Sequence, residues 1–130
     1  MDFEVASRED QIVTIDVGEA LDFRNASEFK QLCKEEVDGG AHHFILNFSE
    51  TGILDSTGLG GIFSLYRKVS PEDGQVVFAA VSRPVQVVVQ LTRTYKLFQQ
   101  FPTVEEAREA LLQEGSDVSP RASEEEEEEK

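Results

Sequence analysis

The sequence is short of the residues on which disulfides and metal centres depend. Its 130 residues include one cysteine, Cys33, so an intramolecular disulfide is excluded. Cys33 lies in an amphipathic stretch, which favours a small buried apolar side chain over a nucleophile. The two histidines, His42 and His43, are adjacent, and adjacent residues of a strand point to opposite faces. We therefore predict no metal site and no bound cofactor.

Long apolar runs and basic residues are also scarce. No apolar run approaches the length of a membrane span, and the first residues lack the basic and apolar regions of a secretion signal, so we expect a cytoplasmic protein. The 12 basic residues face 26 acidic ones, which gives a formal net charge of -14. An acidic surface repels nucleic acid and anionic membranes. It can steer the chain toward a basic protein partner, or serve solubility alone.

The C-terminal segment differs in composition from the rest. From Gly115 onward the sequence carries seven acidic residues, six of them in the run 124–129, and its only apolar residues are Val118 and Ala122. Such a segment buries too little apolar surface to offset the entropy of ordering. We predict one domain over residues 1–114, large enough for a modest core, and a disordered acidic tail over residues 115–130.

Strand-like and helix-like patterns alternate along residues 1–114. β-branched residues at 11–17, beside the shorter segment 3–6, predict a hairpin, and the apolar runs 43–48 and 75–81 predict two further strands. Helical spacing or capping residues predict helices over about 25–37, 56–70 and 103–113. The segment 85–95 is ambiguous, because its valine run favours a strand whereas its apolar spacing favours a helix. This alternation predicts an α/β fold with a partly parallel sheet covered by helices.

The most informative stretch is 53–61, where an apolar run ends in Asp55, Ser56 and Thr57, and glycines follow at 58, 60 and 61. Apolar residues then recur at helical spacing, so Asp55 and Ser56 lie at a helix start, where side-chain oxygens accept hydrogen bonds from free backbone N–H groups. The bare first turn lets another molecule approach Ser56, and the positive helix end favours a phosphate there.

The simpler alternative is that Asp55 and Ser56 are only helix caps. Glycine costs a helix interior roughly 1 kcal/mol against alanine, so three glycines favour a site over a mere cap. The dinucleotide-binding, Walker and nucleophile-elbow motifs fail here, because Phe63, Ile62 and Leu54 stand where those motifs need other residues. No base is positioned beside the hydroxyl. We therefore predict no catalytic residue and disfavour a small α/β enzyme.

The run Asp55-Ser56-Thr57-Gly58-Leu59-Gly60 resembles the phosphorylation-site motif of bacterial anti-sigma factor antagonists, in the STAS-domain family. Residues 18–22 resemble the first strand-to-helix turn of that family, 43–48 its central strand, and 82–85 with 97–107 its last third. The resemblance covers roughly residues 3–114. It implies a STAS-type mixed β-sheet covered by α-helices, and it favours a helix over 85–95.

The resemblance also implies a binding protein that is controlled by phosphorylation. Its unphosphorylated form would bind an anti-sigma factor that is also a serine protein kinase, and so free a sigma factor. The kinase would phosphorylate Ser56, and a PP2C-type phosphatase would remove the phosphate. The implied partner-binding residues are Asp22, Asp55, Ser56, Thr57, Gly58, Leu59 and Gly60, on a chain expected to be monomeric when free. The alternative is a STAS scaffold module of another bacterial signalling or transport-associated complex.

Two departures from the family pattern stand out. Ala20 is an extra residue between Glu19 and Leu21, in the turn that contains Asp22. Arg93 and Thr94 stand where the family often has a small residue and a glycine.

Overall fold

The computed structural model describes residues 3–114, so the predicted tail lies outside the described residues. The described chain forms a five-stranded sheet and a separate two-stranded sheet. The strands are β1 (Glu4–Glu9), β2 (Ile12–Asp16), β3 (Ala20–Leu21), β4 (His43–Asn47), β5 (Ile53–Leu54), β6 (Val76–Ala79) and β7 (Gln100–Phe101). The larger sheet has the order β1-β2-β4-β6-β7, with β1 antiparallel to β2 and the other pairs parallel. The predicted hairpin, central strand and mixed sheet are confirmed.

The hairpin turn explains how β1 and β2 can be joined by only two residues. Asp10 and Gln11 both adopt positive φ, at 56° and 64°. Two consecutive left-handed residues match the right-handed twist of the flanking strands. The hairpin places β1 at the edge of the sheet, and the turn fixes the pairing of residues 7–9 with 12–14, before a register shift between Val5 and Ser7.

Four helices and two short 3₁₀ helices complete the described chain. The helices are α1 (Ala26–Asp38), α2 (Ser56–Val69), α3 (Arg83–Thr92) and α4 (Val104–Glu114), and the 3₁₀ turns are Ser70–Glu72 and Thr94–Lys96. All four helices agree with the sequence patterns, including the ambiguous segment that became α3. Hydroxyl oxygens cap two of them: Ser82 Oγ accepts from Val85 N at 3.4 Å, and Thr103 Oγ1 accepts from Glu106 N at 3.1 Å.

The larger sheet separates two apolar layers. Helices α1, α2 and α3 cover one face through buried side chains that include Phe29, Ile62 and Val85. Helix α4 covers the other face, where Ala107 and Leu111 pack against Ile12, Ile45 and Val77. Strand β5 leads directly into α2, so the start of α2 lies beside the two-stranded sheet.

Cys33 lies on the buried side of α1, in the apolar layer between this helix and the sheet. Burial raises the pKa of its thiol to about 12, with a smaller contribution from the charge of Glu36. A thiol of that pKa is protonated and unreactive near neutral pH. The interpretation of Cys33 as a small apolar core residue is confirmed.

The two histidines do not point to opposite faces, so that expectation is wrong. His42 precedes β4, and the backbone N–H groups of His42 and His43 both donate to the Gln11 carbonyl, at 2.8 and 3.1 Å. Their ring centroids lie 4.5 Å apart in an edge-on contact. His43 Nδ1 accepts from the backbone N–H of Gln75 at 3.0 Å. Among residues 3–114, no group of three or more His, Cys, Asp or Glu side chains is arranged to hold a metal ion.

The structure shows where the two departures from the family pattern lie. Ala20 is buried in β3, where it lies opposite Ile53 of β5. Arg93 ends α3 with φ at 61° and ψ at 25°, the left-handed conformation that glycine adopts most easily. Arg93 therefore ends α3 in a conformation that few residues other than glycine adopt easily.

Candidate functional site

The two-stranded sheet brings together the two segments that the sequence analysis singled out. In this sheet β3 and β5 run parallel, with Leu21 opposite Leu54. The next residues along each strand are Asp22 and Asp55, so the turn after β3 lies against the start of α2. The pairing places the turn that contains Asp22 next to the helix start that contains Ser56.

The carboxylate of Asp55 binds both sides of this junction. Its Oδ1 accepts from the backbone N–H of Gly58 at 2.8 Å, which caps α2. Its Oδ2 accepts from the backbone N–H of Phe23 at 3.0 Å, which fastens the turn after β3. The predicted capping role of Asp55 is confirmed, and the bond to Phe23 is a second role that local sequence did not show.

The glycines of the motif serve different purposes. A Cβ at Gly58 would lie 2.2 Å from the carbonyl oxygen of Leu21, so this glycine lets α2 approach the backbone of β3. A Cβ at Gly61 would lie 3.2 Å from the Phe29 ring, whereas a Cβ at Gly60 would meet no heavy atom within 4 Å. Gly60 is exposed, as the bare-turn argument expected, but Gly58 is buried. Leu59 is likewise buried, in the main apolar cluster.

Ser56 and Thr57 are the first two residues of α2, and both are exposed. Within residues 3–114, the Ser56 hydroxyl makes no hydrogen bond. The hydroxyl thus lies at the positive end of the helix, open to solvent and to another protein. This arrangement suits a group that is modified or recognised by a second molecule.

Asp22 is buried, as are Gly58 and Leu59 of the predicted set, but it is a charged residue held by polar contacts. Only 4% of it is exposed. Its Oδ1 accepts from the backbone N–H of Arg24 at 3.0 Å, and its Oδ2 accepts from the Arg24 guanidinium at 2.7 Å. This guanidinium holds the pKa of the Asp22 carboxyl below its usual range. The acid is therefore ionised and paired within its own turn.

Asn25 holds the same turn from the other side. Its Oδ1 accepts from Asp22 N at 3.0 Å, and its Nδ2 donates to the carbonyl of Ala20 at 2.9 Å. Asn25 occupies the N-cap position of α1, but its side chain makes no capping hydrogen bond. The amide is used to bridge the turn instead.

Two exposed apolar residues flank the site and were missed by the sequence analysis. Phe23 is 72% exposed and Ile53 is 49% exposed. The sequence did offer a signal for Phe23. It lies between the charged residues Asp22 and Arg24, where an aromatic side chain is not expected to be in the core. These side chains give the surface around Ser56 an apolar character.

Comparison with known proteins identifies the fold. The STAS domain family model matches residues 5–107. An anti-sigma factor antagonist from Mycobacterium paratuberculosis is 21% identical, with a TM-score of 0.72 over 85% of this chain and 95% of that one. The Bacillus cell fate determinant SpoIIAA in its phosphorylated form is 20% identical, with a TM-score of 0.68 over 84% and 98%.

The same fold also occurs in a different setting. A sulfate transporter family protein from Wolinella succinogenes is 14% identical, with a TM-score of 0.69 over 83% of this chain and 92% of that one. In residues 3–114 of the present chain, no helix is both long and apolar enough to cross a membrane. The shared fold therefore occurs both in anti-sigma factor antagonists and in a sulfate transporter family protein.

Proposed function

The chain belongs to the STAS domain family, and we propose that it is an anti-sigma factor antagonist switched by phosphorylation at Ser56. The unphosphorylated form binds an anti-sigma factor that is also a serine protein kinase, and so frees a sigma factor. Phosphorylation ends this binding, and a PP2C-type phosphatase restores it. The observation that carries the proposal is the exposed Ser56 hydroxyl at the first position of α2, beside the capping carboxylate of Asp55.

The helix start can accept a phosphate without refolding. Of the backbone N–H groups in the first turn, that of Gly58 already donates to Asp55 Oδ1, and that of Leu59 donates to the Asp55 carbonyl. Within the described residues, the N–H groups of Ser56 and Thr57 have no acceptor, so they remain available to phosphate oxygens. The positive helix end further offsets the added charge of about -1.5 to -2.

The same phosphate opposes partner binding. It adds bulk and negative charge to a surface whose backbone is held by the Asp55 bonds and by the close contact at Gly58. Since this backbone has little freedom to move aside, a partner that packs against Ser56, Thr57 and Gly60 meets the phosphate directly. The switch is therefore a change of charge and shape at one point of a fixed surface.

Mass spectrometry of the chain after incubation with the cognate kinase and ATP tests this proposal. We expect phosphate on Ser56, because Thr57 lies one residue further into the helix and its β-branched side chain is stiffer. Thr57→Ala is the matched control and should be phosphorylated as the unmodified sequence is. Phosphate mainly on Thr57, or on neither residue, would contradict the assignment.

A STAS scaffold of another signalling or transport-associated complex is the second candidate. The fold shared with the Wolinella protein favours it. Neighbouring genes that encode a kinase-type anti-sigma factor and a PP2C-type phosphatase would favour the switch over the scaffold. As a phosphorylation-controlled switch, the chain is a cytoplasmic binding protein that is monomeric when free. It neither catalyses a reaction nor binds nucleic acid, membrane or a cofactor.

A further inference from the structure

We propose that Arg108, Ser7 and Thr14 form a binding site for a tetrahedral oxyanion such as phosphate, on the face of the larger sheet that α4 covers. The site is separate from Ser56, because α2 covers the opposite face. The proposal goes beyond the proposed function and does not depend on it. It rests on an arginine without an acidic partner, two hydroxyl groups that a β-bulge brings together, and a buried N–H donor that has no acceptor.

The guanidinium of Arg108 is not paired with an acid. Arg8 shows how an arginine of this chain binds one: its Nε and Nη2 each donate to the Glu36 carboxylate at 2.8 Å. Arg108 instead directs Nη2 at two hydroxyl oxygens, Ser7 Oγ at 3.0 Å and Thr14 Oγ1 at 3.4 Å. Within residues 3–114, no carboxylate lies within ion-pairing distance of Arg108. The edge that could bind an acid therefore faces neutral groups.

The Nε atom on that edge is an unmet donor. In the part of the chain that the structure describes, Arg108 Nε is buried and has no hydrogen-bond partner. Buried polar groups are normally hydrogen-bonded, and leaving a donor of a charged group unmet is costly. Because the two parallel N–H donors of a guanidinium edge match two oxygens of an oxyanion, such a ligand would supply the missing acceptor.

A β-bulge in β1 sets the two hydroxyl groups side by side. Val5 lies opposite Ile15, but Ser7 rather than Ala6 lies opposite Thr14. The extra residue thus gives Ser7 the place that regular pairing would give to Ala6. Bulges are frequent at sheet edges and beside functional sites, where they re-aim a side chain. Here the bulge brings a second hydroxyl group to the same guanidinium.

The two hydroxyl groups add donors to the site. Each oxygen accepts a hydrogen bond from Arg108, and no other hydrogen bond of Ser7 Oγ or Thr14 Oγ1 occurs within residues 3–114. Since a hydroxyl group both accepts and donates, each keeps an O–H donor for a ligand. A tetrahedral oxyanion has enough oxygens to accept from the guanidinium edge and from both hydroxyl groups together.

Two features of the chain limit the affinity of this site. The formal net charge of -14 opposes anions at long range, although salt screens exposed charges beyond about 8 Å at physiological ionic strength. Arg108 Nε is enclosed in the unbound chain, so a side chain has to rearrange before an anion reaches it. We therefore expect binding in the millimolar range, with the anion joining the edge strand β1 to α4.

Side-chain proton–nitrogen NMR of the full chain tests the proposal, because it observes the Nε–H groups of arginines. The probe is inorganic phosphate, compared with sodium chloride at equal ionic strength. Phosphate should shift the Arg108 Nε–H signal and slow its exchange with water, and sodium chloride should not. Arg108→Lys keeps the charge but lacks the two-donor edge. It should weaken phosphate binding by at least about tenfold, as followed by the backbone amide signals of Ser7 and Thr14.

Other variants separate this site from general attraction of anions. Arg83→Lys is the matched control, because Arg83 is exposed and forms no ion pair within residues 3–114. It should bind phosphate as the unmodified chain does. Thr14→Val removes one hydroxyl group and should weaken binding by about threefold or more, and thermal unfolding checks that each variant is folded. An Arg108 Nε–H signal that phosphate moves no further than sodium chloride does, or unchanged phosphate binding by Arg108→Lys, would overturn the proposal.

Discussion

The close approach of α2 to β3 leads to a strong stability prediction. A Cβ on Gly58 would lie 2.2 Å from the carbonyl oxygen of Leu21 and 2.8 Å from its carbonyl carbon. That oxygen also accepts from the backbone N–H of Asp55 at 3.3 Å, so it cannot retreat without disturbing the junction. Because the clash is with backbone, Gly58→Ala should cost about 2–3 kcal/mol of unfolding free energy, the upper part of the range for overpacking. For a domain of this size that is a fall in Tm of about 10–20 °C.

Gly60 provides the matched control in the same helix. A Cβ at Gly60 would meet no heavy atom within 4 Å, so Gly60→Ala should stabilise the protein by about 0.5–1 kcal/mol through helix propensity alone. The sequence contains no tryptophan, so urea unfolding is best followed by far-UV circular dichroism. Equal stability of the two alanine variants would refute the steric role assigned to Gly58.

Three further predictions concern the capping acid, a buried histidine and the tail. Asp55→Ala loses the bonds to Gly58 N and Phe23 N, and it should cost about 1–2 kcal/mol in urea unfolding. Burial lowers the pKa of His43 from 6.5 to about 4. The unfolded chain therefore takes up a proton first, and stability should fall as the pH drops from 6.5 to about 4. The pH profile of the urea midpoint should be flatter over that window in His43→Gln. Removal of residues 115–130 should leave Tm unchanged in calorimetry, because Val118 and Ala122 are the only apolar residues of this segment. A large loss of Tm would show that the domain boundary is misplaced.

The helices and the main strands could be predicted because their signals are local. Apolar spacing and capping residues located α1, α2 and α4 within a few residues of their bounds. The valine run in α3 has strand propensity, but Ser82 at the helix start and the apolar spacing after it agreed with the helix that formed. Where several local preferences favour the same secondary structure, the sequence alone is sufficient to predict that element.

The two short strands β3 and β5 gave no such signal. Each has two residues, and each exists only because the other lies beside it across more than thirty residues of chain. The hydrogen bond from the backbone N–H of Phe23 to Asp55 Oδ2 depends on that pairing, because the two residues are distant in sequence. Geometry of this kind is set by tertiary packing, which local pattern does not encode.

The side-chain hydrogen bonds within the turn after β3 also could not be predicted from the sequence. Asp22 was expected at the partner-binding surface, and a sequence does not show that Arg24 folds back onto its carboxylate. The same holds for Asn25, whose amide bridges the turn rather than capping α1. The residue types at the site were predictable, but which of them remain accessible was not.

Affinity for the cognate anti-sigma kinase, measured with and without phosphate on Ser56, tests the central claim most directly. Titration calorimetry should show that Ser56→Ala binds as the unphosphorylated chain does, and that the chain phosphorylated on Ser56 binds at least about tenfold more weakly. Ser56→Asp should fall between them, because aspartate has less charge and bulk than phosphate. Equal affinity of the phosphorylated chain and Ser56→Ala would contradict the account, because charge at Ser56 would then not control the interface.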